Sequence, residues 1–192
     1  MKFFTKREIL GIVLIFGFIF LISFSNFKVS LRKARDFQRK NDLRTIYNGL
    51  SAYQKDWNVF PLSLEGKIVA CKGSDTFKNE KGQVFNLYPC GWGKDALKDV
   101  FDPTYPPYIS LLPYGPQQDK EAGYLYLSNG KRFQIYAALE GQDEAEYDPA
   151  IVKRNLKCGE RICNVGLGYG NTPLDKSIEE YENELLEKEK SK

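Results

Sequence analysis

Ile9-Leu-Gly-Ile-Val-Leu-Ile-Phe-Gly-Phe-Ile-Phe-Leu-Ile-Ser-Phe-Ser-Asn-Phe27 carries no charge over 19 residues, and this run decides the architecture. At ~1.5 Å per residue a helix of that length reaches about 28 Å, close to the hydrocarbon thickness of a bilayer. A cleaved secretory signal is the competing reading, because Lys2, Lys6 and Arg7 resemble its basic n-region. The run is longer than an ordinary signal core, and no small-x-small cleavage site follows it. It continues instead into Lys28, Arg32 and Lys33. It reads as a retained single-pass anchor carrying a soluble domain.

The helical pattern does not stop at the membrane. Residues 28–57 contain no proline and one glycine, Gly49. Leu43, Ile46, Leu50, Tyr53 and Trp57 recur at spacings of three and four, which defines one apolar face. Arg35, Arg39, Lys40, Asn48 and Lys55 are expected on the opposite face. Asn58 and Pro61 mark the exit. Anchor and extension together predict one helix of about 50 residues, roughly 75 Å long.

Behind the helix the pattern changes to short β segments. Residues 62–101 are loop-like, with strands expected at 67–71 and 83–87. Residues 102–116 hold five prolines and read as an extended connection. The clearest β signal lies at 123–139, where Asn129-Gly130 separates two alternating runs and predicts a tight hairpin. Phe133, Ile135, Ala137 and Leu139 alternate with Arg132, Gln134, Tyr136 and Ala138, and one of these faces should pack on the Leu43–Trp57 stripe. An acidic loop follows at 140–148, then at 151–169 the second cysteine pair with one further short strand. In 174–192, Leu174, Ile178, Tyr181 and Leu185 share a helical face, with Glu179–Asn183 and Glu184–Lys188 as exposed supporting pairs. The fold class is α+β: a long N-terminal helix, half transmembrane and half amphipathic, on a small antiparallel sheet. The divisions are 1–27 for the N-terminal segment and anchor, 28–60 for the amphipathic extension, 61–173 for the disulfide-containing domain, and 174–192 for a charged helix or tail.

The net charge of +3 gives no global argument for a nucleic-acid partner, but the charge is unevenly placed. Residues 28–40 hold six cations, Lys28, Arg32, Lys33, Arg35, Arg39 and Lys40, against one anion, Asp36. Cation counts flanking the anchor would by themselves put the C-terminal side in the cytoplasm. The four cysteines, Cys71, Cys90, Cys158 and Cys163, argue the other way, because disulfides belong to oxidising compartments. The cysteines carry the greater weight, so the domain is read as extracytoplasmic. Connectivity is open from sequence; locality favours Cys71–Cys90 and Cys158–Cys163, and the spacing is unlike a zinc site. There is no histidine, so no Ser/His or Cys/His constellation exists, and the chain is not read as an enzyme. No cofactor is implied.

Glu8 stands at the mouth of the anchor. An ionisable group there is a functional candidate, and Thr5-x-x-Glu8 is also a capping box for the helix start. Phe4-Thr5-Lys6-Arg7-Glu8 followed by the long apolar helix resembles the N-terminus of type IV pilins and of the pseudopilins of type II secretion. The segments at 32–36, 42–46 and 49–53, the Phe60-Pro61 exit, and the hairpin ending at Glu140 resemble the rest of that fold. The likeness covers residues 3–61 well and 105–140 loosely.

The resemblance implies a lollipop-shaped, pilin-like subunit held in the inner membrane before assembly. It then implies a helical filament of like subunits at the cell surface, packed through their apolar helices. It implies that Glu8 pairs with the N-terminal amine of a neighbour, carried on Phe4 and free or methylated, and so sets axial register. It implies a prepilin peptidase and a pilus assembly machinery as further partners. Cleavage would fall between Phe3 and Phe4, and Phe3 stands where the family carries glycine. Either the cognate peptidase accepts that residue or the anchor stays unprocessed. Calcium sites occur in some pseudopilins, and Asp99, Asp102 and Asp119 lie in the corresponding region. Their spacing matches no defined ligand loop, so solvated loop residues are the favoured reading. The basic stretch at 28–40 is read as a contact for anionic lipid or for acidic patches of neighbouring subunits, with DNA the least favoured partner. A different class of function, a monomeric membrane-tethered binding module using Tyr105, Tyr108 and Tyr114, is the alternative.

Overall fold

The computed structural model describes residues 5–73, 86–102, 104–116 and 123–191, and at 22–25 the backbone alone. In chain order the elements are α1 (Lys6–Trp57), β1 (Leu62–Leu64), β2 (Lys67–Lys72), β3 (Leu87–Pro89), β4 (Tyr124–Ser128), β5 (Phe133–Ala137), α2 (Pro149–Lys153), β6 (Lys157–Cys158), β7 (Arg161–Ile162), β8 (Val165–Gly168) and α3 (Ile178–Lys190). Helix α1 is unbroken over 52 residues, about 78 Å at the standard rise. It is long and apolar enough to cross a membrane. It stops where Asn58 turns left-handed at φ 57° and returns its amide to the Gln54 carbonyl at 2.8 Å.

Three antiparallel sheets form the head: β1-β2-β3, β4-β5-β8 and the small β6-β7 hairpin. The first two join edge to edge, since the Tyr126 amide donates to Gly66 O at 2.9 Å and the Tyr126 hydroxyl to Pro61 O at 2.7 Å. The main core is the α1 stripe Leu43, Ile46, Leu50 and Tyr53 packed on Phe133, Ile135 and Ala137 of β5. Gly49 lets the Ile109 side chain reach the helix backbone, where an added Cβ would sit 2.2 Å from Ile109 Cγ1. That contact seats the proline-rich connection against α1.

Strand β5 departs from simple amphipathy, because all five of its residues are buried. It is the central strand, and its second face is covered as well. Tyr136 and Ala138 join Ile151, Cys158 and Cys163 in a smaller core. The buried Gln134 amide donates to Pro173 O at 2.5 Å and Lys176 O at 2.8 Å. The segment entering α3 therefore closes over the back of the sheet.

The hairpin forms where the alternation predicts it, with Ser128 opposite Phe133 and Tyr124 opposite Ala137. Its turn is wider than a two-residue one. Asn129 Oδ1 accepts the amides of Lys131 and Arg132 at 3.1 and 3.0 Å, and only Gly130 takes positive φ, 87°. An asparagine cap replaces the tight Asn-Gly geometry. Helix α3 starts at Ile178 rather than at Leu174, because Ser177 and Glu180 form the capping box. Glu184 pairs backward with Lys176 at 2.6 Å instead of forward with Lys188. The disulfides are Cys71–Cys90 and Cys158–Cys163. The expected strand at 83–87 is described only from residue 86, where β3 begins at Leu87; residues 83–85 lie outside the described residues.

Candidate functional site

The candidate site has two parts, the bare upper half of α1 and the junction that fixes its direction relative to the head. The upper half opens on a capping box. Thr5 Oγ1 accepts the Glu8 amide at 3.4 Å, while Glu8 Oε2 accepts the Thr5 amide at 2.7 Å and the Thr5 hydroxyl at 2.9 Å. Glu8 is thus held at the tip of the helix, exposed. Phe3 and Phe4 lie outside the described residues. From Ile9 to Leu21 every Ile, Leu, Val and Phe is between 41 and 71 % exposed, so among the described residues most of this apolar row stays uncovered. Burying such a row elsewhere is worth on the order of 20 kcal/mol, at about 2 kcal/mol per side chain.

The junction is built from the stretch read as basic. Counting by threes and fours, Arg32, Asp36 and Arg39 continue the line of Leu43, Ile46 and Leu50 up the helix. The head-facing stripe is therefore apolar at its lower end and ionic at its upper end. Asp36 is fully buried. Its carboxylate accepts the backbone amides of Glu140 and Gly141 at 2.8 and 2.9 Å, and Arg39 Nη1 at 2.7 Å. Glu140 receives Arg35 through two bonds at 2.7 and 2.5 Å and Arg39 at 2.9 Å. Lys40 Nζ lies 2.9 Å from both Glu144 and Glu146, and Arg32 reaches Asp143 at 2.7 Å. The Arg35 guanidinium, with Arg39 beside it, holds the Glu140 carboxyl down to about 2. The two glutamates hold Lys40 above the ordinary lysine range.

Local structure explains why residues 140–146 stand ready. Asn164 Oδ1 accepts the Leu139 amide at 2.7 Å, and its Nδ2 donates to the Leu139 carbonyl at 3.0 Å. Asn164 follows Cys163, whose disulfide to Cys158 ties it to β6. The small cysteine loop thus fixes Asn164, which fixes Leu139, which aims two amides at Asp36.

Two expectations change here. Arg35, Arg39 and Lys40 do not lie on a face opposite the core: Arg39 is 5 % exposed and all three turn to the head. Charged side chains can occupy a buried stripe when every one of them is paired, and a search for apolar periodicity passes over them. Four of the six cations, Arg32, Arg35, Arg39 and Lys40, meet acids of this same chain at 140–146. Lys28 lies higher on the helix, Lys33 lies between Arg32 and Arg35 in the chain, and both are exposed. Asp36, seen in the sequence only as one anion among cations, is the residue that the stripe analysis missed. Its i, i+3 spacing to Arg39 and its register with Leu43 were the available signal.

The other candidates are engaged elsewhere. Asp99 Oδ1 accepts the amides of Phe101 and Asp102, and Asp102 Oδ1 accepts the amide and hydroxyl of Thr104, so both carboxylates serve their own turns. Asp119 lies outside the described residues. Among the described residues no group of three or more Cys, Asp or Glu is placed to hold a metal. The Tyr108 hydroxyl donates to Asp56 at 2.9 Å while its ring stands 5.4 Å from that of Tyr53, and the Tyr105 ring lies tilted against Tyr108 at 5.6 Å. These rings extend the core at the lower end of α1.

Compared with known proteins, the chain matches no family model, no curated protein and no solved structure.

Proposed function

We propose that this chain is a structural subunit of an extracellular type IV pilus-like filament or pseudopilus, and that it assembles through the upper half of α1. The observation that carries the reading is one continuous helix whose lower half is locked to a head while the apolar side chains of its upper half stay exposed among the described residues. Such a surface needs lipid first and neighbouring helices afterwards. Before assembly the chain sits in the inner membrane with its head extracytoplasmic, where two disulfides are at home. The cations after the anchor then belong to the head rather than to a cytoplasmic loop, since four of them are paired within it.

Moving the stem from lipid into a bundle exchanges one apolar surrounding for another, so the hydrophobic effect favours the filament only weakly. Register and direction need polar contacts. Glu8 is proposed to supply one, by exchanging its Thr5 contacts for the terminal amine of a neighbour on Phe4. A prepilin peptidase acting between Phe3 and Phe4, and a pilus assembly machinery, are the further partners of this reading.

The test is the intact mass of protein sheared from cell surfaces, with and without Glu8→Ala. A sheared chain beginning at Phe4, with or without one added methyl, supports the reading. Glu8→Ala is then expected to lower the sheared yield at least tenfold while both disulfides still form. Full-length protein confined to membranes, with nothing in the sheared fraction, would overturn it in favour of a fixed tether.

A further inference from the structure

The head carries a groove of about 580 Å³ whose walls are three turns. They are the β1–β2 turn with Glu65 and Lys67, the turn after Cys90 with Lys94, and the β6–β7 turn with Lys157. Tyr124 and Leu125 of β4 form the floor. Both disulfides brace these walls, since Cys90 precedes one turn and Cys158 ends the strand that leads into another. None of the three ammonium groups makes an ion pair among the described residues, in contrast to Lys40 with its two carboxylates. Among the described residues Glu65 is the single acid of the lining, so their charge in the groove is positive on balance.

A complementary surface exists on the same chain. Helix α3 holds six glutamates and two lysines. Ile178 is buried, and Tyr181 and Leu185 lie on the same side of the helix. Glu180, Glu184 and Glu187, spaced i, i+4 and i+7, form a stripe on the other side that contains no lysine. Glu180 also closes the capping box and Glu184 also touches Lys176, but Glu187 makes no ion pair among the described residues. No residue of α3 lines the groove, so the two surfaces do not meet within one molecule. Two complementary patches at different places on one chain make a head-to-tail contact, and such contacts propagate as rings or open helices.

We infer that the groove walled by Lys67, Lys94 and Lys157 receives the Glu180–Glu184–Glu187 face of helix α3 from a second copy of this chain. The inference rests on the filament reading and gives it the head contact that the apolar stem does not supply. Three ammonium groups and three carboxylates meet at the rim of the heads, where water and salt screen them. The contact therefore selects register and direction more than it adds affinity.

The test is zero-length carbodiimide coupling of lysine to carboxylate on full-length protein, in cells expressing a mixture of ¹⁴N and ¹⁵N chains. Mixed-isotope peptides then identify links between copies. Links joining Lys94 or Lys157 to Glu184 or Glu187 across copies are expected in the sheared fraction. Lys94→Glu is expected to lower their yield at least tenfold, and adding Glu187→Lys to restore most of it, while Lys153→Glu, off the groove, changes nothing. Filaments in which Lys67, Lys94 and Lys157 link to no α3 glutamate would overturn the inference and leave the filament reading standing. The same links in membranes, with no sheared material, would uphold the contact and sink the filament. Failure of Glu187→Lys to restore linking, with the disulfides and membrane level of the Lys94→Glu chain intact, also overturns the inference.

Discussion

Helix α1 lives in two worlds. From Ile9 to Leu21 its side chains carry no charge, and the large apolar ones are exposed. From Arg32 down it presents a narrow stripe to the head and mostly polar residues elsewhere, with Phe37 exposed. In the upper half exposure is the point, since each Phe or Leu left bare is available to lipid or to a neighbour. In the lower half Ile46 and Leu50 have no exposed surface at all. The backbone is the same unbroken helix, so rigidity passes from one half to the other. A rigid stem carries the orientation of the head along the whole length of α1. This explains why the upper junction is ionic: paired charges hold one geometry, where apolar contacts would tolerate sliding.

The largest way to break this comparison is at its hinge point. Asp36→Ala removes the acceptor for two backbone amides and one of the two carboxylates that Arg39 meets, so chemical denaturation of the full chain in detergent should show a loss of about 4 kcal/mol. An effect below about 1 kcal/mol would mean that water replaces the carboxylate there. Next, Leu50→Ala should cost about 3 kcal/mol by the same measurement. Leu14→Ala, in the bare half, should change head stability by less than about 0.5 kcal/mol. Equal effects from the two leucine substitutions would show that the halves are not independent.

Acid sharpens the contrast further. Arg35, then Arg39, hold the Glu140 carboxyl below its ordinary 4.5, at about 2. A lowered folded value gives stability that is complete above pH 4.5 and lost as pH falls toward 2. Thermal melting between those limits should therefore show the junction weakening, and Glu140→Gln should flatten that part of the profile. Asp42, lower on α1 and bonded to the Tyr124 hydroxyl, behaves in the opposite sense because burial raises its carboxyl. Asp42→Asn keeps an acceptor for Tyr124 and removes a poorly solvated charge. It should shift stability at pH 7 by less than about 1 kcal/mol, and upward. Among the junction's ion pairs the smallest effect belongs to Arg32–Asp143, where the acid is 59 % exposed. Asp143→Ala should cost no more than about 0.5 kcal/mol.

Much of this architecture was legible in the amino acids. The length of the uncharged run and the cations after it favoured a span over a cleaved signal, and the absence of proline through Trp57 left the helix no place to break. The Leu43–Trp57 spacing named the packing face, and the alternation around Asn129 named the central hairpin. Helix α2 was missed although Asp148-Pro149 is an N-cap followed by the proline that favours a first helical turn. Strand β1 was missed because three residues with two exposed leucines show no alternation to detect.

What only the tertiary structure decided is where the charges go. Patterns of hydrophobicity report which face is dry, because burial of apolar area depends on position along one element. An ion pair depends on two elements and on the loop between them. Asp36 and Gly141 lie 105 positions apart, and nothing local to either marks the other. Sequence determined that this chain has a bare apolar stem and a disulfide-bound head. The long-range pairing of Asp36, Arg35 and Arg39 with residues 140–141 decided how the two are joined.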